Sequence, residues 1–186
     1  MRRMNSENRK PMRTKTIPVG QLIIEGLGDT DNAYEYVYEL MPLIGEVVLW
    51  FNTLEADIDN ILCGFISDRT DQKGLLVVGN MMYTTKLDLF ERFASDFFRD
   101  RGDQPAWFSQ LLSDLRECGS LRNKVVHANW MHTNEDGYTQ VKIKFSKRGL
   151  EHELVQFSKN SLELIIGKIE AARNQLDDLS NEFLPC

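Results

Sequence analysis

Thiols are few in this chain and poorly spaced for any framework. Its three cysteines, Cys63, Cys118 and Cys186, show no Cys-x-x-Cys pattern, and an odd, patternless count argues against a disulfide scaffold or a zinc ribbon. Such usage fits a reducing compartment, and a cytoplasmic protein is the expectation. Long hydrophobic runs are also missing. The longest, Leu75 to Tyr83, is broken by Gly79 and Asn80 and is too short to span a bilayer, so no membrane partner is expected. No apolar stretch follows the basic N-terminus, so no signal peptide is expected. Gly-x-Gly-x-x-Gly, P-loop and Gly-x-Ser-x-Gly patterns are absent, which leaves no motif for a dinucleotide, a nucleotide triphosphate or a hydrolase nucleophile. Histidine is scarce too. His127 and His132 lie five apart with no Cys or Asp to complete a zinc set, so neither metal nor cofactor is expected.

What remains is an ordinary globular composition, 42% hydrophobic and 27% charged. A length of 186 residues suits one domain with a sizeable core. The net charge of −6 argues against a broad nonspecific nucleic-acid binder. That charge is uneven: residues 1–20 total +5 and the rest −11. Residues 1–18 are polar, basic and interrupted by proline, and they read as a disordered arm, either a solubilising tail or an RNA-steering one. Residues 19–186 form the expected single domain.

Periodicity makes that domain mainly α, an up-and-down helical bundle with one small β-hairpin before the last helix. Thr30 or Asp31 caps a first helix, and Pro42 either kinks it or opens a second one reaching about residue 67. Residues 21–28 are not assignable. Ser67 to Gly74 reads as a loop, and Leu75 to Met82 is short and leans helical. A third helix spans about Thr84 to Arg99. A fourth, capped by Asp103 with Pro105 in its first turn, runs to about Asn129. Val141, Ile143 and Phe145 alternate with polar residues as one strand of the hairpin, and Leu154 to Phe157 is its return. His152, between Glu151 and Glu153, reads as solvated. Asn160, with Glu163 three residues on, opens the last helix.

Three charged residues fall on apolar stripes: Glu55 on helix two, Lys86 on helix three and Arg122 on helix four. Buried charges need partners, so they form either a polar network or the solvated margins of broad stripes. Within a network, Glu55 pairs with Arg122 or Lys86, or steadies the imidazole of His127. Asn123 and His127 stack one turn apart, whereas Arg122 lies about 140° around the helix from His127. One site can use both only if the helix loosens near His127 or a second subunit completes the cleft.

Arg122-Asn123-x-x-x-His127, ending a helix in an all-α body, resembles the R-x(4–6)-H signature of the HEPN superfamily. Trp130, the Leu54-Glu55 step and the Thr85-Lys86-Leu87 step resemble further features of bacterial HEPN-like proteins. The similarity covers about residues 31–183. It implies a homodimer with two motifs facing across a cleft, and metal-independent endoribonuclease chemistry in which the ribose 2′-hydroxyl is the nucleophile. His127 then moves protons, since imidazoles titrate near pH 6.5. Arg122 grips the scissile phosphate and Asn123 orients the histidine or the phosphate. Glu55, Lys86 and Trp130 support them. The same resemblance implies a toxin or phage-defence role, with an antitoxin or nucleotidyltransferase partner. Two other readings stay open. One is a catalytically silent HEPN-like module binding nucleotide, RNA or protein. The other is a plain helical scaffold whose histidine merely caps a helix C-terminus, where cations are favoured.

Overall fold

The computed structural model describes residues 12–24, 27–28, 31–67 and 70–183. In chain order it has β1 (Thr14–Pro18), α1 (Asp31–Ile66), α2 (Asp71–Val78), α3 (Tyr83–Arg101), α4 (Phe108–Val126), β2 (Asn129–Thr133), β3 (Tyr138–Ser146), β4 (Gly149–Gln156) and α5 (Lys159–Phe183). The protein is mainly helical, with a small four-stranded antiparallel sheet in the order β1-β4-β3-β2. It divides into two compact units. A sheet unit takes Met1–Val47 and Asn123–Ile165, and a helical unit takes Val48–Arg122 and Ile166–Cys186.

In the sheet unit, β1 pairs with β4 from Thr14↔Val155 to Pro18↔Glu151. This corrects the expectation of a disordered arm over residues 1–18 and of a lone hairpin; residues 1–11 of that arm lie outside the described ones. β1 is almost wholly exposed, so it carries no apolar alternation to read. Its pairing comes from the open backbone edge of β4, which satisfies its own peptide groups this way. Proline is tolerated at the last position of an edge strand. β2 is irregularly paired to β3 between Asn129 and Thr133.

His152 is 1% exposed, and its Nε2 lies 2.8 Å from the Gln21 carbonyl oxygen. It is not the solvated residue its acidic neighbours suggested. Alternation puts Glu151 and Glu153 on the opposite face, and the flanking strands align Ile17 and Ile143 with His152. The Tyr36 hydroxyl donates to the Phe157 carbonyl at 2.5 Å. Gly137, at φ 81°, leaves room for that tyrosine, because a Cβ there would collide with Tyr36 and with the Phe157 carbonyl.

The helical unit is built on Phe51, Leu54, Ile58 and Leu62 of α1, Leu87, Phe90 and Phe98 of α3, Leu111 and Leu115 of α4, and Ile169, Leu176 and Leu179 of α5, all buried. Phe65, Phe90, Phe93, Phe97, Phe98, Phe108 and Phe183 form one aromatic cluster around the α5 end. Helix α1 runs unbroken through Pro42, so proline neither ends it nor starts another. Its Ala33–Ile66 stretch is long and apolar enough to cross a membrane by length and composition alone. Its apolar residues are interspersed with charged ones, so it holds no long uninterrupted apolar run.

Several boundaries move for local reasons. α2 starts at Asp71, where Thr70 Oγ1 accepts from the Gln72 amide at 3.3 Å, so part of the expected loop is helical. Leu75 to Val78 belongs to this helix. Asp103 does not cap α4. The Phe108 amide donates to the Pro105 carbonyl in a turn, and α4 begins there. α5 is capped by Ser158, whose Oγ accepts from the Ser161 amide while Ser161 Oγ accepts from the Ser158 amide. That reciprocal pair is a capping box set two residues before the expected Asn160 and Glu163. Thr30, the alternative first cap, lies outside the described residues.

Candidate functional site

Helix α4 exists because Phe108, Leu111, Leu115, Cys118 and Val125 recur at helical spacing and are buried. It ends at Val126, yet the His127 amide still donates to the Asn123 carbonyl at 3.0 Å. Asn123 and His127 are exposed, and Arg122 is half-buried. The chain beyond the helix is pinned. Trp130 Nε1 donates to the Val125 carbonyl at 2.9 Å, and its ring packs on Phe157 at 5.0 Å between centroids. Trp130 therefore ties off a C-terminal carbonyl of α4 and fixes the His127 segment between helix and strand. Its remaining surface lines an apolar pocket of about 370 Å³ with Tyr34, Val37, Tyr38, Met41 and Met131. Phe108 is core, while Trp107 is exposed.

In the helical unit the Arg122 guanidinium lies over the Phe51 ring, 5.0 Å from its centroid. Phe51 packs on Tyr83 at 4.7 Å, and the Tyr83 hydroxyl donates to the Leu115 carbonyl at 2.9 Å. Gly119 makes this close approach of α3 to α4 feasible, since a Cβ there would stand 2.8 Å from the Tyr83 ring. Burial, with Cys118 and Glu55 nearby, pushes the Tyr83 hydroxyl well above its ordinary pKa. Burial likewise pushes the Cys118 thiol up to about 12, so neither group serves as a nucleophile near neutral pH.

Of Glu55, Lys86 and Arg122, Lys86 is the buried one. Its Nζ lies 2.8 Å from Glu55 Oε1 and 2.8 Å from Asp59 Oδ2. Lys86 is thus a partner of Glu55, one of the pairings open to it. Desolvation lowers the affinity of Lys86 for its proton, but hydrogen bonds and charge from Asp59 and Glu55 outweigh it, and its pKa is raised. Sequence reasoning missed Asp59, which stands one helical turn beyond Glu55 on the same face. The triad places two carboxylates around one ammonium, an arrangement that holds structure and leaves Lys86 no free electron pair for chemistry. No group of three or more His, Cys, Asp or Glu side chains among the described residues is placed to hold a metal.

No family model, curated protein or solved structure matches this chain.

Proposed function

We propose that this chain is a HEPN-type, metal-independent endoribonuclease whose active site is completed at a homodimer cleft, in the setting of a toxin or phage-defence system. What supports the reading is the run Arg122-Asn123-x-x-x-His127 at the end of α4: Asn123 and His127 are exposed, and the Arg122 guanidinium lies over the Phe51 ring. In the reaction, His127 takes the proton of a ribose 2′-hydroxyl. The freed oxygen attacks the adjacent phosphorus, and the bond from phosphorus to the 5′-oxygen breaks. The second copy's histidine protonates that leaving oxygen, giving a 2′,3′-cyclic phosphate and a 5′-hydroxyl end. Arg122 neutralises charge on the phosphoryl oxygens as it grows, and Asn123 orients the phosphate. Glu55 and Lys86 support the helix that carries Phe51, and Trp130 positions the His127 segment.

The test is cleavage of labelled RNA in EDTA by the native chain and by His127→Ala. Cleavage to cyclic-phosphate ends should fall at least about 100-fold in the variant. Equal activity in the two, or none in the native chain, removes the proposal. Growth arrest on expression should follow the same pattern. A second reading, a silent HEPN-like binding module, draws on the acidic excess of 28 Asp and Glu over 22 Lys and Arg, since backbone binding depends on positive charge.

A further inference from the structure

An acidic chain that handles RNA needs positive charge concentrated somewhere, and besides the basic N-terminal segment the sheet unit gathers cations at the tip of one hairpin. Residues 142–150 hold four cations, Lys142, Lys144, Lys147 and Arg148, and no acid. β3 and β4 close through the pair Ser146↔Gly149, which leaves Lys147 and Arg148 as the turn itself. The Arg148 amide donates to Ser146 Oγ at 3.0 Å, and Gly149 supplies the φ of 109° that ends the turn. Lys142 and Lys144 lie 3.5 and 3.1 Å from Glu153 and are partly neutralised by it. Lys147 and Arg148 are exposed and make no ion pair among the described residues.

Next to these cations, on the strand face away from Glu153, stands Phe145. It is 90% exposed, and its cross-strand neighbour Leu150 is 42% exposed. One exposed aromatic is unremarkable by itself. An aromatic face beside two unpaired cations on a tight turn is the combination that engages an unpaired base and its phosphates together. A paired base would keep its face in the duplex stack, so a single strand is the occupant that fits.

We propose that the β3–β4 hairpin tip is a docking surface for single-stranded RNA, with Lys147 and Arg148 on the phosphates and a base stacked on Phe145. The choice of RNA as occupant rests on the nuclease reading; the charge and the ring do not. Its function is to supply the affinity that the acidic body lacks, at a place separate from the α4 motif in sequence.

The experiment uses the full chain carrying His127→Ala and a short fluorescein-labelled single-stranded RNA, titrated by anisotropy at several salt concentrations. Adding Lys147→Ala with Arg148→Ala should weaken binding and flatten the slope of log affinity against log salt by about 1.4, two phosphates at roughly 0.7 each. Adding Phe145→Ala should weaken binding about ten-fold and leave the slope unchanged. Thermal melts should stay unchanged, since all three side chains are exposed. RNA affinity indifferent to both changes overturns the inference, as does tip-dependent binding to phosphatidylserine vesicles with unaltered RNA affinity. If the native chain cuts RNA while the tip variants bind it normally, this surface is wrong and the nuclease stands. If binding depends on the tip but the native chain cuts nothing, the nuclease is wrong and the surface stands.

Discussion

Lys86 shows how much one side chain can demand of its surroundings. Its side chain is 7% exposed, between Glu55 and Asp59, which are themselves 27% and 24% exposed. Removing the ammonium leaves two mostly covered carboxylates facing each other, which is costlier than the net worth of the ion pairs. Lys86→Met should therefore lose about 2–4 kcal/mol of stability, the lower end reflecting the water that still reaches both carboxylates. Urea denaturation decides it: a loss under about 0.5 kcal/mol would mean that solvent carries the pair. At this scale the sequence was informative where a charge broke an apolar row, as at Glu55 and Lys86. It was silent on Asp59, because a carboxylate one turn along reads as an ordinary surface residue until the neighbouring helix brings a cation to it. His152 failed for the mirror reason. Its acidic neighbours in sequence say nothing about the strands that flank it.

Among the elements, α1 carries a defect that invites a test. Pro42 lies inside the helix and is exposed, and it has no amide to donate to the carbonyl of Tyr38. Pro42→Ala restores that bond without filling any packed space, so a gain of about 1–3 kcal/mol is expected. A melting temperature that stays level or falls would show that the missing bond at Pro42 costs the helix nothing. β1 makes the opposite point. Its five residues close the outer edge of β4, so deleting residues 1–18 should expose that edge and lower the melting temperature by at least about 3 °C. Unchanged melting and no new self-association would return those residues to the status of a tail. The helices were legible because each must bury one face, whereas β1 and β2 were not. An edge strand is held by backbone groups, and backbone groups are the same in every sequence.

For the molecule as a whole, the telling variable is alkaline pH. Burial, with Asp114 and Glu117 close by and Lys168 opposing, raises the Cys118 thiol from an ordinary 9.0 to about 12. The Lys86 ammonium is also held above its ordinary 10.5. A folded pKa above the unfolded one means that the folded chain binds the proton more tightly. The stability from Cys118 is then complete below about pH 9 and is lost as pH rises toward 12. Lys86 adds to the same limb above 10.5. Calorimetry from pH 8 to 11 should show a falling melting temperature, and Cys118→Ala should flatten its first part, between about 9 and 10.5. A native limb no steeper than that of Cys118→Ala would remove the thiol from this account.

Sequence alone determined that this chain is mainly helical, where its longer apolar rows run, and that Arg122, Asn123 and His127 gather near a helix end. These are matters of spacing along one chain, and helical periodicity writes them into the residues. Only the tertiary structure decided that Lys86 would take both Glu55 and Asp59, that Phe51 would lie under Arg122, and that a basic N-terminal segment would become a strand. Each of those depends on which surfaces meet, and a contact between distant residues is fixed by the packing of whole elements.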